Sequence, residues 1–277
     1  MDHQEKKKSV EEIIRKLNAS DVSAFSIMDY FTFDGFLEIR KYLKEHPETI
    51  LTKTLFPGIE LRIDAPIDYR LNIHAIFNEN VTDQELDDFI NTLMISGLDR
   101  SPSQESIIQA AESLPPDKVA EYHDYKRNKR SAFLLGSKTI TITKESFKKA
   151  VNNLSKEKCL VMLPFDCSDG ISRMDWKKHP HAACEFFQMT DIFESRNKDN
   201  IDLILNIRNQ KNELFIDNFL ETMGGKAKPV ISGSDAHKLE DYGVFPGEKV
   251  TWIKAETTFR GLRKTLIEPQ ARTFIGD

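Results

Sequence analysis

An α/β fold with mostly parallel strands is predicted by three features of the chain: short apolar runs, apolar positions at helical spacing between them, and polar groups standing where the runs end. Val10, Ile13, Ile14 and Leu17 recur with a helical period, so a helix is expected over about 9–19. Ala24-Phe25-Ser26-Ile27-Met28 then reads as a buried strand whose carboxyl end presents Asp29. Gly35 permits a turn, and Phe36 to Glu45 has the pattern of a second helix, closed by His46-Pro47. Thr54 to Ile63 reads as a strand interrupted by a bend at Pro57-Gly58. In Leu71 to Phe77 the alternation sets Leu71, Ile73, Ala75 and Phe77 on one side and Asn72, His74 and Ile76 on the other.

Thr82, with Glu85 three residues later, forms a capping box for a helix reaching about Ile95. Residues 96–131 are polar, with a second cap-like start at Ser103, and read as an insertion or excursion from the core. Lys138 to Thr143 alternates as a strand, Lys144 to Leu154 is helical, and Cys159 to Pro164 is a fully apolar strand followed by a long loop. Ala182 to Met189 and Phe215 to Met223 read as helices, with Asp191 to Glu194 strand-like between them. Lys228 to Ile231 is a last strand, ending in the polar tip Ser232-Gly233-Ser234-Asp235-Ala236-His237. With no internal repeat and no low-complexity linker, one domain over 1–277 is expected.

The 277 residues carry 39 Lys plus Arg against 44 Asp plus Glu, a net charge of -5, which excludes a uniformly basic nucleic-acid coat but leaves a local basic groove open. No run approaches the ~20 apolar residues of a membrane-spanning helix, and the charged start is unlike a secretory signal, so a soluble cytoplasmic protein without a membrane partner is expected. Cys159, Cys167 and Cys184 form no close metal-type pair.

Five groups stand at or just past strand ends: Asp29, Glu60, His74, Asp235 and His237. Carboxylates and imidazoles together suit Mn, Zn or Fe, and two such ions could clamp a phosphoryl group. Each has a plainer reading: Asp29 as a cap for the next helix, Glu60 as a surface residue, His74 as a satisfied histidine. Asp235 and His237, two apart in an extended segment, can face the same way. His179 and His181 flank Pro180, and Asp166, Asp169, Asp175 and Cys167 share the same loop; ligand duty and ordinary turn chemistry both fit them. Cations interleaved with aromatics in Tyr122 to Arg130 and in Lys254 to Arg263 suit a single nucleic-acid strand, or a solvated helix face.

Ser26-Ile27-Met28-Asp29-Tyr30, Phe56-Pro57-Gly58-Ile59-Glu60, Asn72-Ile73-His74 and Ile231-Ser232-Gly233-Ser234-Asp235-Ala236-His237, in this order, resemble the PHP (polymerase and histidinol phosphatase) metallophosphoesterase superfamily. Thr251 to Ala255, Thr258 to Arg263 and Glu268-Pro269 resemble the end of the PHP domain in TrlF-like PHP-ATPase proteins. The resemblance covers residues 24–277. It implies a distorted parallel barrel with metals at the carboxyl ends of its strands and hydrolysis of phosphoesters. Its further implications are a phosphodiester or nucleic-acid substrate, a role in DNA repair or phage defence, and an ATPase partner. No ATPase domain is read in the chain, which lacks a Gly-x-x-x-x-Gly-Lys-Ser/Thr string.

Against that pattern the first His-x-His strand is missing, and the Asp-His step reads Asp29-Tyr30. The expectation is therefore a barrel without its first strand, self-associating or partner-dependent at the exposed edge. It binds one or two divalent ions weakly through Asp29, Glu60, His74, Asp235 and His237. Asp29, Glu60 and His74 would carry catalysis, and Arg62, Lys254 and Arg260 would meet the substrate. The alternative is a catalytically degenerate PHP scaffold that docks an ATPase or nucleic acid.

Overall fold

The structure is a computed structural model that describes residues 3–115, 124–155, 157–167 and 169–276. Six strands lie side by side in chain order: β1 (Ala24–Tyr30), β2 (Thr54–Ile63), β3 (Leu71–Phe77), β4 (Cys159–Pro164), β5 (Ile192–Glu194) and β6 (Val230–Ile231). β1–β2, β4–β5 and β5–β6 pair in parallel, while β3 runs against both of its neighbours. The curled sheet is mostly parallel and open among the described residues, with β1 and β6 as its edges.

Helices clothe one face: α1 (His3–Ala19), α2 (Asp34–Glu45), α3 (Asp83–Thr92), α4 (Gln104–Glu112), α5 (Lys129–Thr139), α6 (Lys144–Asn153), α7 (Pro180–Met189), α8 (Lys198–Ile204) and α9 (Ile216–Thr222). Ile59, Leu61, Ile73, Ala75, Phe77, Val161 and Phe193 meet them there, in a core with Leu17, Ile39, Phe89, Phe147 and Phe187. The opposite face has its own apolar cluster, in which Phe56, Ile76, Leu160, Met162 and Ile192 are plugged by Phe259 and Leu262 of α10 (Phe259–Lys264). Apolar residues on both faces explain why the strands read as continuous apolar runs. A two-stranded antiparallel sheet, β7 (Val250–Ile253) and β8 (Thr273–Gly276), flanks α10 and α11 (Pro269–Arg272).

The capping box at Thr82 and Glu85 forms as the sequence predicts. Three readings change. β2 is continuous through Pro57, because β3 begins to pair only at Gly58 and the absent N–H falls outside that ladder. Lys138 and Thr139 belong to α5, whose N-cap Asn128 accepts from the N–H groups of Arg130 and Ser131; only Ile142 bridges, to Ile63 and Ile95. The polar stretch 96–131 holds α4 and the start of α5. These two pack so closely that a Cβ on Gly136 would stand 2.2 Å from the carbonyl oxygen of Ile107. Past β6 the chain returns beside β1, where Tyr242 joins the main core and a Cβ on Gly243 would stand 3.7 Å from Ser20 Oγ. Among the described residues no helix is long and apolar enough to cross a membrane.

Candidate metal centre

Register brings Tyr30, Glu60 and His74 into one row, since Tyr30 lies opposite Glu60 and Glu60 opposite His74. Side chains on one row of adjacent strands share a face, here the inner one that also carries Met28, Phe56 and Ile76. Glu60 Oε1 accepts from Asn72 Nδ2 at 2.7 Å, and the Tyr30 hydroxyl donates to the same carboxylate. Burial pushes the Glu60 carboxyl upward, but His74, Tyr30 and Arg62 together hold it below the ordinary glutamate value. The same environment, burial first and then Glu60, pushes the Tyr30 phenol well above its usual range, so it remains a donor.

His74 Nε2 stands 3.7 Å from Glu60 Oε2, longer than a hydrogen bond. The ring is 7% exposed, and neither of its nitrogens has a hydrogen-bond partner. Leaving a buried polar atom unpaired costs about 1–3 kcal/mol, so this imidazole is the most conspicuous unmet demand in the fold. Asn72 Oδ1 beside it is unpaired too.

Glu194, at the end of β5, is a member of this environment that was not singled out from sequence. Burial raises its carboxyl, His74 and Arg196 oppose that, and Asp235 and Glu60 add to it. Its signal was the one used for Glu60, an acid closing a short apolar strand. Arg196 reaches back with Nη2 3.6 Å from Glu194 Oε1 and donates from Nε to Ser232 Oγ at 3.2 Å.

The remaining predicted residues divide. Asp235, at a left-handed φ of 53°, lies within electrostatic reach of Tyr30, Glu194 and Cys167. His237 is turned to solvent, its side chain 63% exposed and its Nδ1 2.9 Å from the backbone oxygen of Asp235. Asp29 follows the strand alternation onto the helix-covered face, where Oδ2 accepts from Gly35 N at 2.7 Å in the first turn of α2. A Cβ at Gly35 would stand 2.7 Å from that oxygen, so close approach is what demands glycine there. Arg62 joins the pocket, its guanidinium 4.8 Å from the Tyr30 ring centre. Lys254 and Arg260 do not: both are exposed, and Arg260 sits on α10 beside Phe259, at the end of the sheet away from Glu60.

In the long loop, Asp166 ties β4 to the segment after β5 by accepting from Ser195 Oγ at 2.8 Å and Asn200 Nδ2 at 2.7 Å. Asp175 accepts from the N–H groups of Lys177 and Lys178, the turn role. His179 occupies the N-cap position of α7 and His181 is exposed. Burial pushes the Cys167 thiol up to about 12, unlike a reactive thiolate. Tyr122 and His123 lie outside the described residues. Tyr125 is buried, its hydroxyl donating to the Leu114 carbonyl at 2.7 Å.

Among the described residues no group of three or more His, Cys, Asp or Glu side chains converges tightly enough to hold a metal ion. The pre-placed donors are the pair Glu60 and His74, with Glu194 and Asp235 electrostatically close. That set fits one hard-to-borderline divalent ion and does not fit a cluster.

No protein-family profile matches the chain, and no curated protein matches it significantly. A search of solved structures finds a chain from Bifidobacterium adolescentis, described as a candidate metal-dependent phosphoesterase. It is 13% identical, with 95% of this chain and 90% of that one covered, at a TM-score of 0.40. A likeness at that level assigns neither a family nor an activity.

Proposed function

We propose that the chain is a metal-dependent phosphoester hydrolase whose reaction takes place at the inner row of β1, β2 and β3. The observation that carries this reading is the buried His74 imidazole, unpartnered at both nitrogens and 3.7 Å from a carboxylate held ionised. Glu60 and His74 would hold the ion. When bound, it would polarise a phosphoryl oxygen and lower the pKa of water. Asn72 and Tyr30 fix the Glu60 carboxylate by donating to it, which keeps it acceptor-only and correctly turned. Arg62, stacked over Tyr30, adds positive charge on the side from which a phosphate would approach.

The finer reading, a phosphodiester of nucleic acid, rests on the motif resemblance. The second reading is a non-catalytic scaffold, favoured by the lack of a third converging donor among the described residues and by a phenol at position 30.

One experiment separates them. Chelator-treated protein is titrated with Mn²⁺ and Zn²⁺ by calorimetry, then assayed on p-nitrophenyl phosphate and bis-p-nitrophenyl phosphate. One ion per chain is expected, with affinity falling at least ~10-fold in His74→Asn and Glu60→Gln and hydrolysis lost in both. Wild-type protein that hydrolyses neither substrate in excess metal is the scaffold.

A further inference from the structure

Beside the Glu60–His74 pair, three arginines gather that neither metal binding nor the core accounts for. Arg62 is the buried member: its Nη1 donates to the Ser137 carbonyl, and its Nε has no partner. Arg70, at the start of β3, is close enough to Arg62 to act on it by like-charge repulsion. Arg173, in the loop after β4, lies over the Tyr69 ring at 4.2 Å from its centre. Two hydrogen bonds staple the carrying segments together: Tyr69 OH donates to the Gly170 carbonyl at 2.8 Å, and Asn72 N donates to the Asp169 carbonyl at 3.0 Å.

None of the three arginines forms an ion pair with a described carboxylate, although Asp68 and Asp169 act nearby. Cations held together without counterions repel one another, and an anion relieves that. The guanidinium fork matches phosphate oxygens, and stacking on Tyr69 uses the face of Arg173 while leaving its N–H edges for an acceptor. Asn72 connects the two regions, because its backbone holds the Asp169 loop while its side chain holds Glu60.

We propose that Arg70 and Arg173, backed by Arg62, bind a second phosphate of the substrate, beyond the one attacked at Glu60 and His74, so that the preferred substrates carry at least two phosphoryl groups. The position of the first phosphate rests on the phosphoesterase reading above; binding of the second needs no metal.

The full chain, stripped with chelator, is titrated with inorganic pyrophosphate and with inorganic phosphate by calorimetry. Wild type should bind pyrophosphate more tightly than phosphate. Arg70→Ala combined with Arg173→Ala should weaken pyrophosphate at least ~10-fold, with Arg173→Lys intermediate because it keeps charge but loses the fork and the stack. Both positions are exposed, and thermal unfolding of each variant checks the fold. In a metal-loaded assay the double variant should keep its kcat/KM on p-nitrophenyl phosphate while KM for a nucleoside diphosphate rises ~10-fold at unchanged kcat. Pyrophosphate binding that is absent in wild type, or equal in wild type and double variant, overturns the proposal whatever the hydrolysis result. Arginine-dependent pyrophosphate binding without any hydrolysis overturns the phosphoesterase reading and leaves the anion site standing.

Discussion

Asp29 carries a carboxylate for which two roles compete, and alternation along β1 decides between them. Tyr30 faces the inner row, so its neighbour faces the helices and accepts from Gly35 N at the start of α2. Asp29→Ala is expected to cost about 0.5–2 kcal/mol, the usual loss of a capping acceptor, while Asp29→Asn keeps the acceptor and costs less. Burial raises the Asp29 carboxyl, with Gly35 N opposing and Asp34 adding to it. The native chain therefore binds this proton more tightly than the unfolded chain. Stability contributed by the group is full below the ordinary aspartate value of about 3.9 and is lost as pH rises through the raised native value. Urea unfolding across that range should show Asp29→Asn without this loss. If either variant abolished metal binding while remaining folded, the capping role would not be the whole account.

Helix α7 ends on a buried cation that nothing in the sequence announced. Lys228, just before β6, points its ammonium at the carbonyls of Phe187, Gln188 and Thr190, oxygens that a helix C-terminus leaves without partners. Burial pulls Lys228 down to about 8, with Asp191 opposing. Between that value and the ordinary lysine value of about 10.4 the unfolded chain binds more protons than the native one, so this group makes stability rise with pH over that window. Lys228→Met should destabilise by about 1–3 kcal/mol through the unpaired carbonyls and should remove the rise. Denaturant unfolding at pH 7.5 and pH 10 measures both, and equal pH slopes for wild type and variant would show that the amine does not titrate in this way. At the same scale, α3 was fully legible: Thr82 and Glu85 name their own local geometry, and Glu85 is held below the usual glutamate range chiefly by Lys158 and by Thr82.

The two faces of the sheet divide the molecule between stability and chemistry. Phe259 is fully buried against Phe56 at one end of the inner face, while Glu60 and His74 stand at the other. Phe259→Ala should cost about 3–5 kcal/mol, as aromatic truncations in cores do. Because the ends are separate, the metal affinity of the folded variant should remain within about twofold of wild type. Unfolding and metal titration on the same preparation test both, and a large loss of affinity would mean that the plug also shapes the site. The sequence by itself determined the α/β rhythm, the capping box, the two faces of β3, and the acid or imidazole closing each of several strands, because those depend on neighbours within a few residues. Tertiary structure alone decided that Tyr30, Glu60 and His74 form one row, that Asp29 turns away to α2, that Glu194 joins them, and that Arg62, Arg70 and Arg173 gather beside Asn72. Alternation tells which residues of a strand share a face. Register between strands far apart in the chain tells which faces meet, and it is set by packing the whole sheet at once.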